Sequence, residues 1–161
     1  MKRHPGLQAL SQHHHFALIQ ALEIRRAQQQ PAAKLDAAAR HVAERLLRFW
    51  EKTGRQHFRE EEEILLPALA RHKALDEDKQ VMRMLAEHAA IRARIEELRE
   101  ALEAGEPVEK GLAELGRMLN DHVRLEENEI FPRIEATLQE AELAALGQKL
   151  TRLHSRKSCE V

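Results

Sequence analysis

His57-Phe-Arg-Glu-Glu-Glu-Glu-Ile-Leu-Leu-Pro67 and His122-Val-Arg-Leu-Glu-Glu-Asn-Glu-Ile-Phe-Pro132 follow one pattern. Each has a histidine, a glutamate four residues on (Glu61, Glu126), a second glutamate directly after it, and a proline ten residues from the histidine. On an α-helix, positions i and i+4 lie one above the other on a single face. Each stretch can therefore aim one imidazole and one carboxylate at a common point. That donor pair suits iron, zinc or manganese, and two such stretches suggest a binuclear centre.

Both stretches sit inside longer helical stripes. Val42, Leu46, Phe49, Trp50, Thr53, His57, Glu61, Ile64 and Ala68 mark one helix over about residues 34–72. Gly54 interrupts it at a cost of about 1 kcal/mol relative to Ala. The apolar phase runs across Gly54, so a single helix is expected, bent there or near Pro67. Leu112, Leu115, Leu119, His122, Glu126, Ile130 and Ile134 mark another, over about 108–138. A first helix is expected over 6–30, with Leu7, Leu10, His14, Leu18 and Leu22 inward and Pro31 closing it. A third, over 76–104, turns Val81, Leu85, His88, Ile91, Ile95, Leu98 and Leu102 inward and ends at Gly105-Glu-Pro107. A short amphipathic fifth helix over 139–154 packs across one end, followed by a loose tail at 155–161. No β pattern occurs. Short links between long helices favour antiparallel neighbours, so the reading is all-α: an up-down-up-down antiparallel four-helix bundle (about 6–138) with a C-terminal accessory helix, in one domain spanning 1–161.

Composition agrees. With 161 residues the chain is long enough to bury a core, and its 26 basic and 27 acidic residues are mixed along it, so no nucleic-acid patch is implied. No apolar run reaches the ~18 residues of a membrane span. The single cysteine, Cys159, excludes an internal disulfide framework and a thiolate cluster, and fits a reducing cytoplasm.

The anomaly is polar. Four helices each place a histidine on a stripe that should be apolar (His14, His57, His88, His122), and two add a glutamate. Burying such groups costs several kcal/mol unless they are paired or ligate a metal. The half holding His14 and then His57-x3-Glu61 repeats as His88 and then His122-x3-Glu126. One His-x3-Glu alone is weak, since such pairs are also ordinary solvated contacts. Duplication with the same trailing proline, plus single histidines on the other two helices, makes the metal reading the stronger one. On the first helix the choice lies among His13, His14 and His15; His14 sits mid-stripe and His15 is the runner-up. His4, His41, His72 and His154 read as surface residues. Trp50, Met82, Met84 and Met118 read as core filling, and Cys159 as inert.

Taken together, these residues resemble the hemerythrin-like, HHE cation-binding family. The resemblance rests on His14, His57-x3-Glu61, His88 and His122-x3-Glu126, and it spans helices 1 to 4. It implies two non-haem iron ions bridged by Glu61 and Glu126, with an oxo or hydroxo bridge, and capped by His14, His57, His88 and His122; manganese or zinc would also suit. Oxygen-carrying hemerythrins have a second histidine one turn beyond the helix-3 ligand, where this chain has Arg92, and His-x4-Asp on helix 4. The ligand set left is similar to that of di-iron proteins that repair iron–sulfur clusters, although their N-terminal cysteine-bearing segment is missing here. Four protein donors per iron leave room for a small molecule. Arg92 is placed either to approach that site or to extend to solvent.

The expected function is a cytoplasmic di-iron protein that binds, senses or detoxifies O2, peroxide or NO, with a role in stress response or iron–sulfur repair. The absence of Tyr argues against tyrosyl-radical chemistry. Alternatives are iron storage or buffering, a structural mononuclear site, or a metal-free pH-responsive helix surface.

Overall fold

The computed structural model describes residues 3–157, with residues 152–157 as backbone only. Cys159 and the side chain of His154 lie outside the described residues.

Among the described residues the structure is helical, with no strand. After a 3-10 turn at Pro5–Leu7, α1 covers Gln8–Ala27. α2 is one continuous rod over 32–70: α-helical at Ala32–Phe49, π-helical at Trp50–Gly54, α at Arg55–Glu60, π again at Glu61–Leu65, and α at Leu66–Ala70. α3 covers Lys79–Glu103. α4 runs over 109–137, with a π turn at Glu126–Ile130 between Glu109–Leu125 and Phe131–Thr137. α5 covers Glu140–Lys157, three residues beyond the expected end. The third helix starts later than expected because Asp78 caps it, accepting from the backbone N–H of Gln80 and Val81.

Each π turn has a local cause. Pro67 and Pro132 follow two of them, and a proline ring clashes with the carbonyl four residues earlier. The wider turn relieves this: Leu66 N–H reaches back to Glu61 O, and Phe131 N–H to Glu126 O. At the third, the Trp50 indole packs against Gly54, where an added Cβ would come within 2.4 Å of Cε3. The glycine is thus a packing requirement. Both places where a bend is expected in the second helix, Gly54 and the run just before Pro67, are π-helical.

A π turn inserts one residue and shifts the inward face. From its last residue onward Leu65 and Leu69 are core, while the expected Ile64 and Ala68 are half-buried. Two expected positions on α1 also differ. Leu18 and Leu22 are half-buried, and the core runs through Ala17, Ile24 and Ala27. Repeated i+4 steps drift by about 40° each on a 3.6-residue helix, so an alternating three-four spacing stays inward. Met84 is buried and Met118 partly so, but Met82 is 47% exposed, a correction: it lies one residue past the buried Val81, about 100° round the third helix from the inward face. Trp50 is core.

α1 packs on α2 and α4, and α3 packs on the same two. Two apolar clusters form along them. One holds Trp50, Phe58, Ile91, Ile95, Leu112 and Leu115. The other holds Leu10, Leu69, Met84 and Phe131, and is closed by Leu143, Leu146 and Leu150 of α5. α5 also lies against the Pro5–Leu7 turn, where a Cβ on Gly6 would meet the Leu143 carbonyl oxygen at 2.2 Å. Between the two clusters lies a polar layer.

Candidate metal centre

That layer contains all six residues singled out by the helical stripes. His14 from α1, His57 and Glu61 from α2, His88 from α3, and His122 and Glu126 from α4 are each buried to 5% exposure or less. His15 is exposed and His13 half-buried, so of the three candidates on α1 it is His14 that is buried in the layer. His41 and His72 are exposed, as expected, whereas His4 is half-buried and accepts from the Gly6 backbone N–H.

The i,i+4 pairs close as the helix geometry requires. His57 Nε2 stands 3.3 Å from Glu61 Oε1, and His122 Nε2 stands 3.1 Å from Glu126 Oε1. Across the layer His14 Nε2 comes within 2.8 Å of Glu126 Oε2, and His88 Nε2 within 3.3 Å of Glu61 Oε2. The donors fall into two groups, His14/His57/Glu61/Glu126 and Glu61/His88/His122/Glu126. Within each group one ligand atom per residue lies within 4.8 Å of the rest. Both groups contain both glutamates, and either could hold a metal ion.

Fit can be judged from the polar atoms themselves. The Nε2 atoms of all four histidines and both oxygens of Glu61 and Glu126 are buried without a hydrogen bond of acceptable geometry. Eight converging, unsatisfied donor atoms in an apolar surround are what an ion pair would repair. Imidazole nitrogen and carboxylate oxygen suit first-row transition ions.

Outside the layer, carboxylates set the ring tautomers. His14 Nδ1–H donates to Glu127 (2.7 Å), His88 Nδ1–H to Glu62 (2.7 Å) and His122 Nδ1–H to Glu87 (3.0 Å). An ionised carboxylate only accepts, so the proton sits on Nδ1 and Nε2 faces inward. Arginines hold two of these carboxylates: Arg3 bonds Glu127 at 2.6 Å and Arg92 bonds Glu62 at 2.9 Å. Each guanidinium also covers a phenylalanine, Arg3 over Phe131 and Arg92 over Phe58. Each of those rings stacks on a layer histidine, Phe131 on His14 and Phe58 on His88. Arg92 is therefore engaged by Glu62 and Phe58. Sequence reasoning missed these outer partners. The one available signal was the doubled glutamate, since Glu62 and Glu127 directly follow Glu61 and Glu126.

Charge in the layer is strongly coupled. Burial, the largest influence on each imidazole, disfavours its charged form, yet neighbouring carboxylates prevail at three of them. His14 is raised well above its usual range by Glu126 and Glu127, His88 is pushed up to about 10 by Glu126 and Glu61, and His122 is raised by Glu126. Burial likewise pushes both core carboxyls up, but the imidazoles outweigh it, and Glu61 lies below its ordinary range and Glu126 well below. At His57 burial wins and brings the ring down to about 3. An ion bound here competes with protons on three of the four histidines.

The description of the hemerythrin HHE cation-binding domain matches residues 6–134 of this sequence. The chain belongs to this family. No curated protein and no solved structure matches it. For a hemerythrin HHE domain the cation-binding role agrees with the buried His/Glu layer, and among the described residues no helix is long and apolar enough to cross a membrane.

Proposed function

We propose that this hemerythrin HHE domain holds two iron ions side by side and uses them to bind, sense or detoxify O2, peroxide or NO. His14 and His57 would hold one ion and His88 and His122 the other, with Glu61 and Glu126 offering carboxylate oxygens to both. One observation carries the reading: the two donor groups share both glutamates, so two ions would be neighbours joined by two carboxylates. Manganese and zinc fit the same donors, and iron is favoured because open, nitrogen- and carboxylate-ligated iron supplies redox chemistry toward small oxidants.

The protein's own part is to orient and to exclude. Glu127, Glu62 and Glu87 hold three imidazoles with Nε2 inward, and apolar layers above and below keep bulk water away. Two histidines and two carboxylates make four protein donors per ion, which leaves positions for a small ligand. We read the frame as one domain, an antiparallel up-down-up-down bundle of α1–α4 with α5 accessory to it. Short links and the packing of α1 and α3 on both α2 and α4 support this. The single cysteine favours work in a reducing cytoplasm.

The test is metal stoichiometry on protein from iron-supplemented cells, with visible absorption before and after anaerobic reduction. Two irons per chain and charge-transfer bands that bleach on reduction are expected. A single zinc, or a stable fold with nothing bound, would move the protein to a structural or interaction role.

A further inference from the structure

Three of the four inward histidines are held from outside by a carboxylate, and His57 is not. Its Nδ1 is buried and makes no hydrogen bond among the described residues, while Nε2 faces Glu61. Two residues not used in the central layer lie next to it. His13 precedes His14 on α1, and its ring centroid is 5.4 Å from that of His57. Glu60 precedes Glu61 on α2, and its carboxylate is wholly buried. Gln56 donates to Glu60 Oε1 at 3.0 Å, while Oε2 stands 3.8 Å from His13 Nδ1. One ligand atom each from His13, His57 and Glu60 lie within 4.8 Å of one another.

This corner breaks the molecule's internal repeat. The residue before His88 is Glu87, which anchors His122. The residue before His14 is His13, so the place of an anchoring carboxylate is taken by an imidazole. No hydrogen bond to Nδ1 opposes a turn of the His57 ring, and that ring borders both the central layer and the His13–Glu60 corner. His13 is the accessible member of the corner, with 18% of its side chain exposed. Two imidazoles and one carboxylate suit a divalent ion of borderline softness such as iron(II), cobalt(II) or zinc(II).

We propose that His13, His57 and Glu60 form an outer divalent-cation site at which an ion is taken up and then passed inward on His57. The destination rests on the inner-pair reading above; the outer site itself does not.

Cobalt(II) alone is the probe. Metal-free protein is mixed with it and the rise of cobalt absorption is followed in time, for the unaltered chain, His13→Gln and Glu60→Gln. Both variants should reach the same final cobalt content as the unaltered chain but fill roughly tenfold more slowly. Glu126→Gln, which cripples the inner pair, should still bind one cobalt(II), and adding Glu60→Gln should abolish it, with helix content by circular dichroism unchanged. Equal filling rates in all three chains, or a folded Glu126→Gln variant that binds no cobalt, would overturn the outer site. Fewer than two cobalt ions in the unaltered chain would instead count against the inner pair, and the Glu126→Gln arm would still decide the outer site.

Discussion

His14 Nδ1 and Glu127 Oε1 lie 2.7 Å apart, and Glu127 is the residue directly after the core carboxylate Glu126. The same relation recurs between His88 and Glu62, again at 2.7 Å and again one residue after a core carboxylate. Adjacent glutamates on one helix therefore do different work. The first turns into the layer, and the second reaches round to fix a histidine of another helix.

Removing those outer carboxylates should weaken the centre without dismantling it. Glu62→Gln and Glu127→Gln should each lower metal affinity by about 10–100-fold, as loss of such partners does elsewhere. Competition titration against a chelator reads this, with circular dichroism as a check on folding. Unchanged affinity in both would show that the hydrogen bonds contribute nothing to binding.

The inner residues should matter more. His57→Ala or His122→Ala should remove most bound metal, whereas His41→Ala, at an exposed position, should not. Elemental analysis of the three purified variants is sufficient. Equal metal content in all of them would sink the ligand assignment.

Gly54 should resist even alanine. A Cβ there meets Trp50 Cε3 at 2.4 Å, so the indole must move out of the cluster it shares with Phe58. Overpacking of this kind costs roughly 1–3 kcal/mol. The chain has one tryptophan, so a red-shifted emission alongside a lower denaturation midpoint would report the displacement directly.

Asp78 ties the start of α3 to the rest of the molecule. It caps the helix, pairs with Lys73, and accepts from Arg133 Nη1 at 2.9 Å. Burial pushes its carboxyl up, but Lys73, Arg133 and the Val81 N–H outweigh this and bring it from the ordinary 3.8 down to about 2. Because the folded value is depressed, the stabilisation is complete above about pH 4 and is lost as pH falls through about 2. Urea midpoints measured from pH 5 to pH 2 should fall more steeply for the unaltered chain than for Asp78→Asn. Asp78→Ala should cost about 1 kcal/mol at neutral pH from the cap alone.

Much of the centre was legible because i,i+4 spacing is a local property. His57 and Glu61 meet, as do His122 and Glu126, wherever the helices carry them. The π turns were less legible. Pro67 marked a distortion, but not that Leu65 and Leu69 would replace Ile64 and Ala68 in the core. The choice between His14 and His15 depended on the rotation of α1 against its neighbours. So did the exposure of Met82, which is as apolar as the buried Met84.

By itself, the sequence determined the helices, five of the six inward polar residues and the twofold repetition of the His-x3-Glu pairs, because each follows from spacing along one helix. The tertiary structure decided what those residues share. That Glu61 and Glu126 belong to both donor groups, that Glu62, Glu87 and Glu127 hold three of the histidines, and that His57, next to His13 and Glu60, has no such holder among the described residues all depend on contacts between helices. Contacts of that kind depend on helix rotation and offset, which are set by packing of the two apolar clusters and not by the spacing within any one helix.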